Sequence, residues 1–168
     1  MSYQEKRAIV SIVTGIFILA AYCIHVYGKY QSGVIASDDL KPWAATMLVF
    51  IGIGVIATII IQIVFHILLS IAIAAQQKLQ NANCDDKEIG VRIESEMVVD
   101  EMDRLIELKS ERIGFGVAGV GFVIALVSLV LNFPLAIMIN IVFASFSLAS
   151  LVEGFTQLYF YKRGIRNA

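Results

Sequence analysis

The sequence predicts an all-α fold: a four-helix transmembrane bundle with a helical cytoplasmic segment between spans 2 and 3. Three observations predict it. First, Ala8–Gly28, Pro42–Ala75 and Ile113–Phe133 contain no Asp, Glu, Lys or Arg, and Pro134–Tyr161 contains only Glu153. Each run meets or exceeds the roughly 20 residues a helix needs to cross ~30 Å of hydrocarbon. Second, the chain is 58% hydrophobic and 16% charged, whereas a soluble domain carries about a quarter charged residues. Third, the basic residues fall on one side. Lys6 and Arg7 precede span 1, Lys78, Lys87, Arg92, Arg104, Lys109 and Arg112 lie between spans 2 and 3, and Lys162, Arg163 and Arg166 follow span 4. Only Lys29 and Lys41 lie opposite. That asymmetry predicts both termini and the long loop in the cytoplasm.

Residues 1–75 are expected to form a first hairpin (spans about 8–28 and 43–75), 76–111 a cytoplasmic acidic, partly helical segment, and 112–168 a second hairpin (spans about 113–133 and 135–160). Span 1 follows a basic start. Its uncharged run exceeds the ~7–15 residues of a signal core, and the Tyr27-Gly28-Lys29-Tyr30 flank offers no small-residue cleavage site, so it reads as retained. A short outer loop leads to Pro42, suited to the first turn of a helix because its missing N–H would be unpaired there anyway. Trp43 is expected to anchor at headgroup level. From Pro42 to Ala75 a helix extends ~50 Å, so span 2 must tilt or, as favoured here, project into the cytosol.

Asn81-Ala82-Asn83-Cys84-Asp85-Asp86 reads as a turn. From Arg92 the recurrence of Ile93, Met97, Val98, Met102, Leu105 and Ile106 at threes and fours is helical, and nothing between Val91 and Phe133 forbids one continuous helix into span 3. Its opposite line, Glu96, Asp100, Asp103, Glu107 and Glu111, reads as a solvated acidic face, with Asp100 and Arg104 placed to pair at i, i+4. Its apolar side needs a cover, either the end of span 2 or a second subunit. Spans 3 and 4 are joined by only Asn132-Phe133-Pro134, which forces them to pack as antiparallel neighbours. Pro42-Trp43-Ala44-Ala45-Thr46-Met47 also resembles Pro134-Leu135-Ala136-Ile137-Met138, a weak internal repeat. Cys23 and Cys84 are too far apart in this layout for a structural disulfide and lack metal-ligand spacing.

Gly114-Phe115-Gly116-Val117-Ala118-Gly119 satisfies G-x-G-x-x-G. A dinucleotide fingerprint needs a strand before it and an acid about 20 residues on. Here helical charge spacing precedes it, and beyond Arg112 the only acid is Glu153. The glycines instead belong to a stripe of small residues, Ser110, Gly114, Ala118, Gly121, Ala125, Ser128 and Asn132. In lipid, helices associate by close backbone approach, which such a stripe permits. Gly116 and Gly119 are expected to widen the groove, and span 3 to be the packing spine.

Polar residues inside the spans form a candidate lane: Thr58, Gln62, His66 and Ser70 on span 2, with Ser150, Glu153 and Gln157 on span 4. An ionisable residue within a span suggests function, and Glu153 with His66 is the expected pair. The same residues also read as interhelical hydrogen-bond glue or as interfacial snorkelling. No nucleophile-and-base constellation, cofactor motif or P-loop lysine assembles. Basic residues are too scattered for nucleic-acid binding.

Asp100-Glu101-Met102-Asp103-Arg104-Leu105-Ile106-Glu107-Leu108-Lys109-Ser110 resembles the D-E-x-D-x-L-I-x-x-K-[SA] segment of a group of uncharacterised small prokaryotic four-span membrane proteins. The resemblance implies this topology and a prokaryotic plasma membrane, and brings no established activity, cofactor or catalytic residue. The expected function is non-enzymatic: a homo-oligomer, with a dimer favoured, embedded in the lipid bilayer, with a regulatory or interaction role and a possible protein partner at the cytoplasmic helix. The alternative is a small transporter or channel for protons, cations or small molecules along the polar lane.

Overall fold

The computed structural model describes residues 3–33, 40–80 and 86–164. Residues 81–85 of the turn read at 81–86, Cys84 among them, and Arg166 lie outside them, while Asp86 begins a helix. Every regular element among the described residues is an α-helix: α1 (Tyr3–Gln31), α2 (Leu40–Gln80), α3 (Asp86–Met97), α4 (Glu101–Val130) and α5 (Leu135–Arg163). Helices α1, α2, α4 and α5 are each long and apolar enough to cross a membrane. A helix satisfies its own backbone groups, which lipid demands. The chain is a multi-pass membrane protein with an all-α bundle.

The expected continuity from Arg92 into span 3 fails at residues 98–100, where the chain leaves the helix. Asp100 caps α4: its Oδ1 accepts from the Asp103 N–H (2.6 Å), and Asp103 Oδ2 accepts from the Asp100 N–H (3.1 Å). This reciprocal box satisfies two otherwise unpaired donors. The Asp100 carboxylate thus serves the backbone of α4's first turn, in place of the expected side-chain role towards Arg104. At the far end of α4, Asn132 takes φ +61°, a left-handed conformation Asn tolerates. The Asn132 and Phe133 amides bond back to Leu129 and Ser128, turning the chain into α5.

The most extensive helix contact is α4 with α5, followed by α1 with α5. Helix α5, rather than α4, is therefore the hub: it touches α1, α2 and α4, while α4 leans mainly on α5. The buried residues of α4 are Ile106, Ser110, Gly114, Ala118, Gly121, Ala125 and Ser128, so the small-residue stripe is the face it presents to α5. A Cβ on Gly114 would stand 3.0 Å from the Ala149 carbonyl oxygen, and one on Gly121 would fall inside the Ser145 side chain. Ser145 can turn that way because its hydroxyl donates to its own helix at Ile141 O. Gly116 and Gly119 do not widen this groove. They are exposed, with no atom near an added Cβ, since their positions rotate them onto the opposite face.

Helix α1 docks on α5 by the same device. A Cβ on Gly154 would meet Ile12 Cγ1 at 2.6 Å, and one on Gly15 would meet Leu151 Cδ2 at 3.0 Å. Helix α2 is peripheral, with none of its apolar window buried. Tyr3, at the start of α1, lies against Phe65 and His66. The last stretch of α2 therefore runs on past α1 by about 20 Å at 1.5 Å per residue, and α3 packs along α2. Trp43 is not exposed at an interface: it is 3% exposed, packed on Ala136 with Val26 and Ile139. It forms the seam of α1, α2 and α5 at the end of the bundle that carries the two turns. The two hairpins of the weak repeat differ in packing, because a groove of about 580 Å³ separates α1 from α2.

Candidate functional site

At the end of the bundle opposite the turns, four helices and the α3–α4 link enclose a polar chamber of about 220 Å³. Helix α1 contributes Gln4, Arg7 and Ser11, α2 contributes Thr58 and Gln62, the link contributes Val99, α4 contributes Asp103 and Glu107, and α5 contributes Glu153, Gln157 and Tyr161. One guanidinium therefore shares the space with three carboxyl groups. Arg7 reaches it from the second turn of α1, and its Nε donates to Gln62 Oε1 at 3.2 Å. Gln157 Nε2 donates to Glu153 Oε1 at 3.4 Å, one turn apart on α5. Tyr161, at the end of α5, donates its hydroxyl to Asp103 Oδ1 at 2.9 Å. Asp103 thus holds α4's first turn through one oxygen and the end of α5 through the other.

Of the lane read from the sequence, Thr58, Gln62, Glu153 and Gln157 meet in this chamber. The other members lie elsewhere. His66 is exposed, with its ring edge-on to Tyr3 at 6.2 Å, so the pairing of His66 with Glu153 does not form. Ser70 donates to the His66 carbonyl at 2.9 Å. Ser150 is exposed and lines the grooves that flank α5. The cause is helical drift: four residues turn a helix by about 400°, so each step of four moves the side chain ~40° around the axis.

Glu153 also borders a second space. A groove of about 610 Å³ between α4 and α5 is lined by Glu111, Arg112, Gly114, Phe115, Phe146 and Glu153, among others. The carboxyl group therefore stands in the wall between the chamber and this apolar groove. An aromatic layer lies further towards the turn end, about 12–16 Å along the helices at 1.5 Å per residue. The Tyr22 and Phe143 rings stack at 3.8 Å, Phe50 meets Tyr22 edge-on at 5.3 Å, and the Tyr22 hydroxyl donates to Asn140 Oδ1 at 2.7 Å. Among the described residues no group of three His, Cys, Asp or Glu is placed to hold a metal ion.

Arg7, Asp103 and Tyr161 are functional candidates that sequence reasoning did not assign to the site. Arg7 carried a topology signal and Asp103 an acidic-face reading, while Tyr161 stood only as the end of the fourth apolar run. A signal for Asp103 was present in Asp100-Glu101-Met102-Asp103, whose spacing suits a reciprocal cap. Comparison of the chain with protein-family models, curated proteins and solved structures finds no match.

Proposed function

We propose that the chain is a non-enzymatic protein of a prokaryotic plasma membrane, with both termini and the 76–111 segment in the cytoplasm. It assembles as a homodimer and has a regulatory or partner-binding role. The observation that carries this reading is apolar surface outside the spans. Leu79, Val91, Val98, Met102 and Leu105 are all exposed on the polar segment, where water rather than lipid would cover them. Met102 and Leu105 are three residues apart and share one face of α4. Exposed apolar patches in water mark interaction sites. The eleven-to-two asymmetry of basic residues supports the orientation, and the resemblance of the Asp100–Ser110 segment supports the prokaryotic membrane.

The mass of the full chain in nanodiscs tests the oligomer. Dimers are expected for the wild type and monomers for Leu105→Lys, with the helical circular-dichroism signal unchanged. A strictly monomeric wild type rules the reading out.

A second reading, transport of protons, cations or small molecules, is favoured by one observation. The chamber gathers Arg7, Asp103, Glu107 and Glu153 at a level where Glu153 is about 28 Å from the α4–α5 turn at 1.5 Å per residue. Intramembrane ionisable groups mark ion and substrate pathways. In proteoliposomes this reading expects flux of protons or small cations that falls at least tenfold in Glu153→Gln. Equal flux in both forms, or none in either, removes it.

A further inference from the structure

At the turn end, a groove of about 570 Å³ lies between α1 and α5. It runs from Tyr30, Trp43 and Pro134 to Tyr22, Asn140 and Ala144. From Pro134 to Ala144 is ten residues of α5, or about 15 Å, half of the ~30 Å hydrocarbon thickness. Its walls are Val26, Ile137, Ile141 and aromatic rings, and the Tyr22–Asn140 hydrogen bond closes its floor. The groove is therefore one leaflet deep and apolar along its length.

Its mouth is rich in donors. Trp43 is 3% exposed, and its indole Nε1 is buried with no hydrogen-bond partner. A buried tryptophan N–H normally finds an acceptor. Pro134 gives α5 no side-chain cap, and the Ile137 amide bonds back to the Pro134 carbonyl at 2.9 Å, so the start of this 29-residue helix offers the Leu135 and Ala136 amides and the positive end of its dipole. The Tyr27 oxygen accepts from Gln31 Nε2 at 2.8 Å, which leaves its own proton to donate. Among the described residues no Asp or Glu lines the groove. Four aromatic rings would otherwise suit an organic cation, but the described polar groups at the mouth are donors, which select an acceptor-bearing, anionic head.

The geometry points to a phospholipid site: one acyl chain of a lipid from the turn-end leaflet lies along α1 and α5, and its phosphate or ester oxygens face Trp43, Tyr27 and the start of α5. The lipid would complete the seam at which α2 joins the rest of the bundle.

Trp43 is the only tryptophan in the chain, so its emission reports on the groove directly. The full chain is reconstituted in phosphatidylcholine vesicles containing a rising fraction of phosphatidylglycerol brominated on its chains. Half-maximal quenching is expected at a mole fraction at least fivefold lower than for brominated diacylglycerol, which lacks the phosphate. In Ala144→Phe, which fills the floor of the groove, quenching should follow the bulk fraction of either lipid. Quenching of the wild type that tracks bulk composition, or that is equal with and without the phosphate, overturns the site. Native mass spectrometry of the wild-type chain keeps the proposal testable if the variant does not fold. One phospholipid retained per protomer is expected. A lipid-free protomer, or a lipid-free dimer with a second copy seated in the groove, overturns the proposal.

Discussion

Leucine in place of Gly121 is expected to separate α4 from α5 and lower the thermal midpoint by about 10 °C. A Cβ at this position already falls within the Ser145 side chain, and three further carbons have nowhere to go between two close-packed backbones. Overpacking a tight contact costs typically ~1–3 kcal/mol, occasionally more. At roughly 2–4 °C per kcal/mol for a chain of this size, the upper end of that range gives the predicted shift. The control is Gly119→Leu, two residues away on the open face, where a change within ~0.5 kcal/mol is expected. Ser145→Gly should return more than half of the loss in Gly121→Ala, because it removes the atoms the new methyl meets. Thermal unfolding in one detergent measures all four variants. Equal behaviour of the 121 and 119 leucine variants would show that the stripe is not the α4–α5 contact.

Replacing Asp103 with alanine should loosen the start of α4 without touching its apolar length. The variant loses the bond to the Asp100 amide and the bond from Tyr161. A cap interaction is worth ~0.5–2 kcal/mol, and a hydrogen bond about 1 kcal/mol net. Exchange of the amides at the start of α4 should therefore quicken by ~10–100-fold, at a factor of ten per 1.4 kcal/mol. Tyr161→Phe removes only the bond between helices, about 1 kcal/mol, and should give about a third to two-thirds of the effect on a logarithmic scale. Amides in the middle of α5 should be unchanged in both variants. If exchange at residues 101–106 does not respond to Asp103→Ala, the reciprocal cap does not hold this helix end in solution.

Much of the bundle was legible because lipid leaves few options. Three charge-free runs and a fourth broken only by Glu153 have to be helices, and a line of Ser, Gly and Ala at fours and threes has to be where a neighbour comes close. The sequence could not say which neighbour, since Ser145, Ala149 and Leu151 carry no comparable signal. The break at residues 98–100 was hidden because Met97, Val98 and Met102 keep helical spacing across it. Asp100 fits two local roles, pairing with Arg104 or capping α4, and only the backbone geometry selects between them. In the chamber, Gln62 and Glu153 were legible as polar residues inside apolar spans, but polarity alone ignores rotation about the helix axis, and His66 drifts out of reach. Arg7 entered the site through the docking of α1 on α5 at Gly154 and Ile12, a tertiary fact with no local trace.

Helix α2 spans 41 residues, about 60 Å end to end, and its apolar window packs on its neighbours without burying a single residue. Such an element behaves as a lever. With Trp43 as its seated end, rocking by about 5° carries the far end through roughly 5 Å, a full helical pitch. That far end bears α3, and through residues 98–100 α3 is tethered to the capped start of α4. A change of tilt of that size would displace α3 and the 98–100 link by about one helical pitch relative to the seam at Trp43.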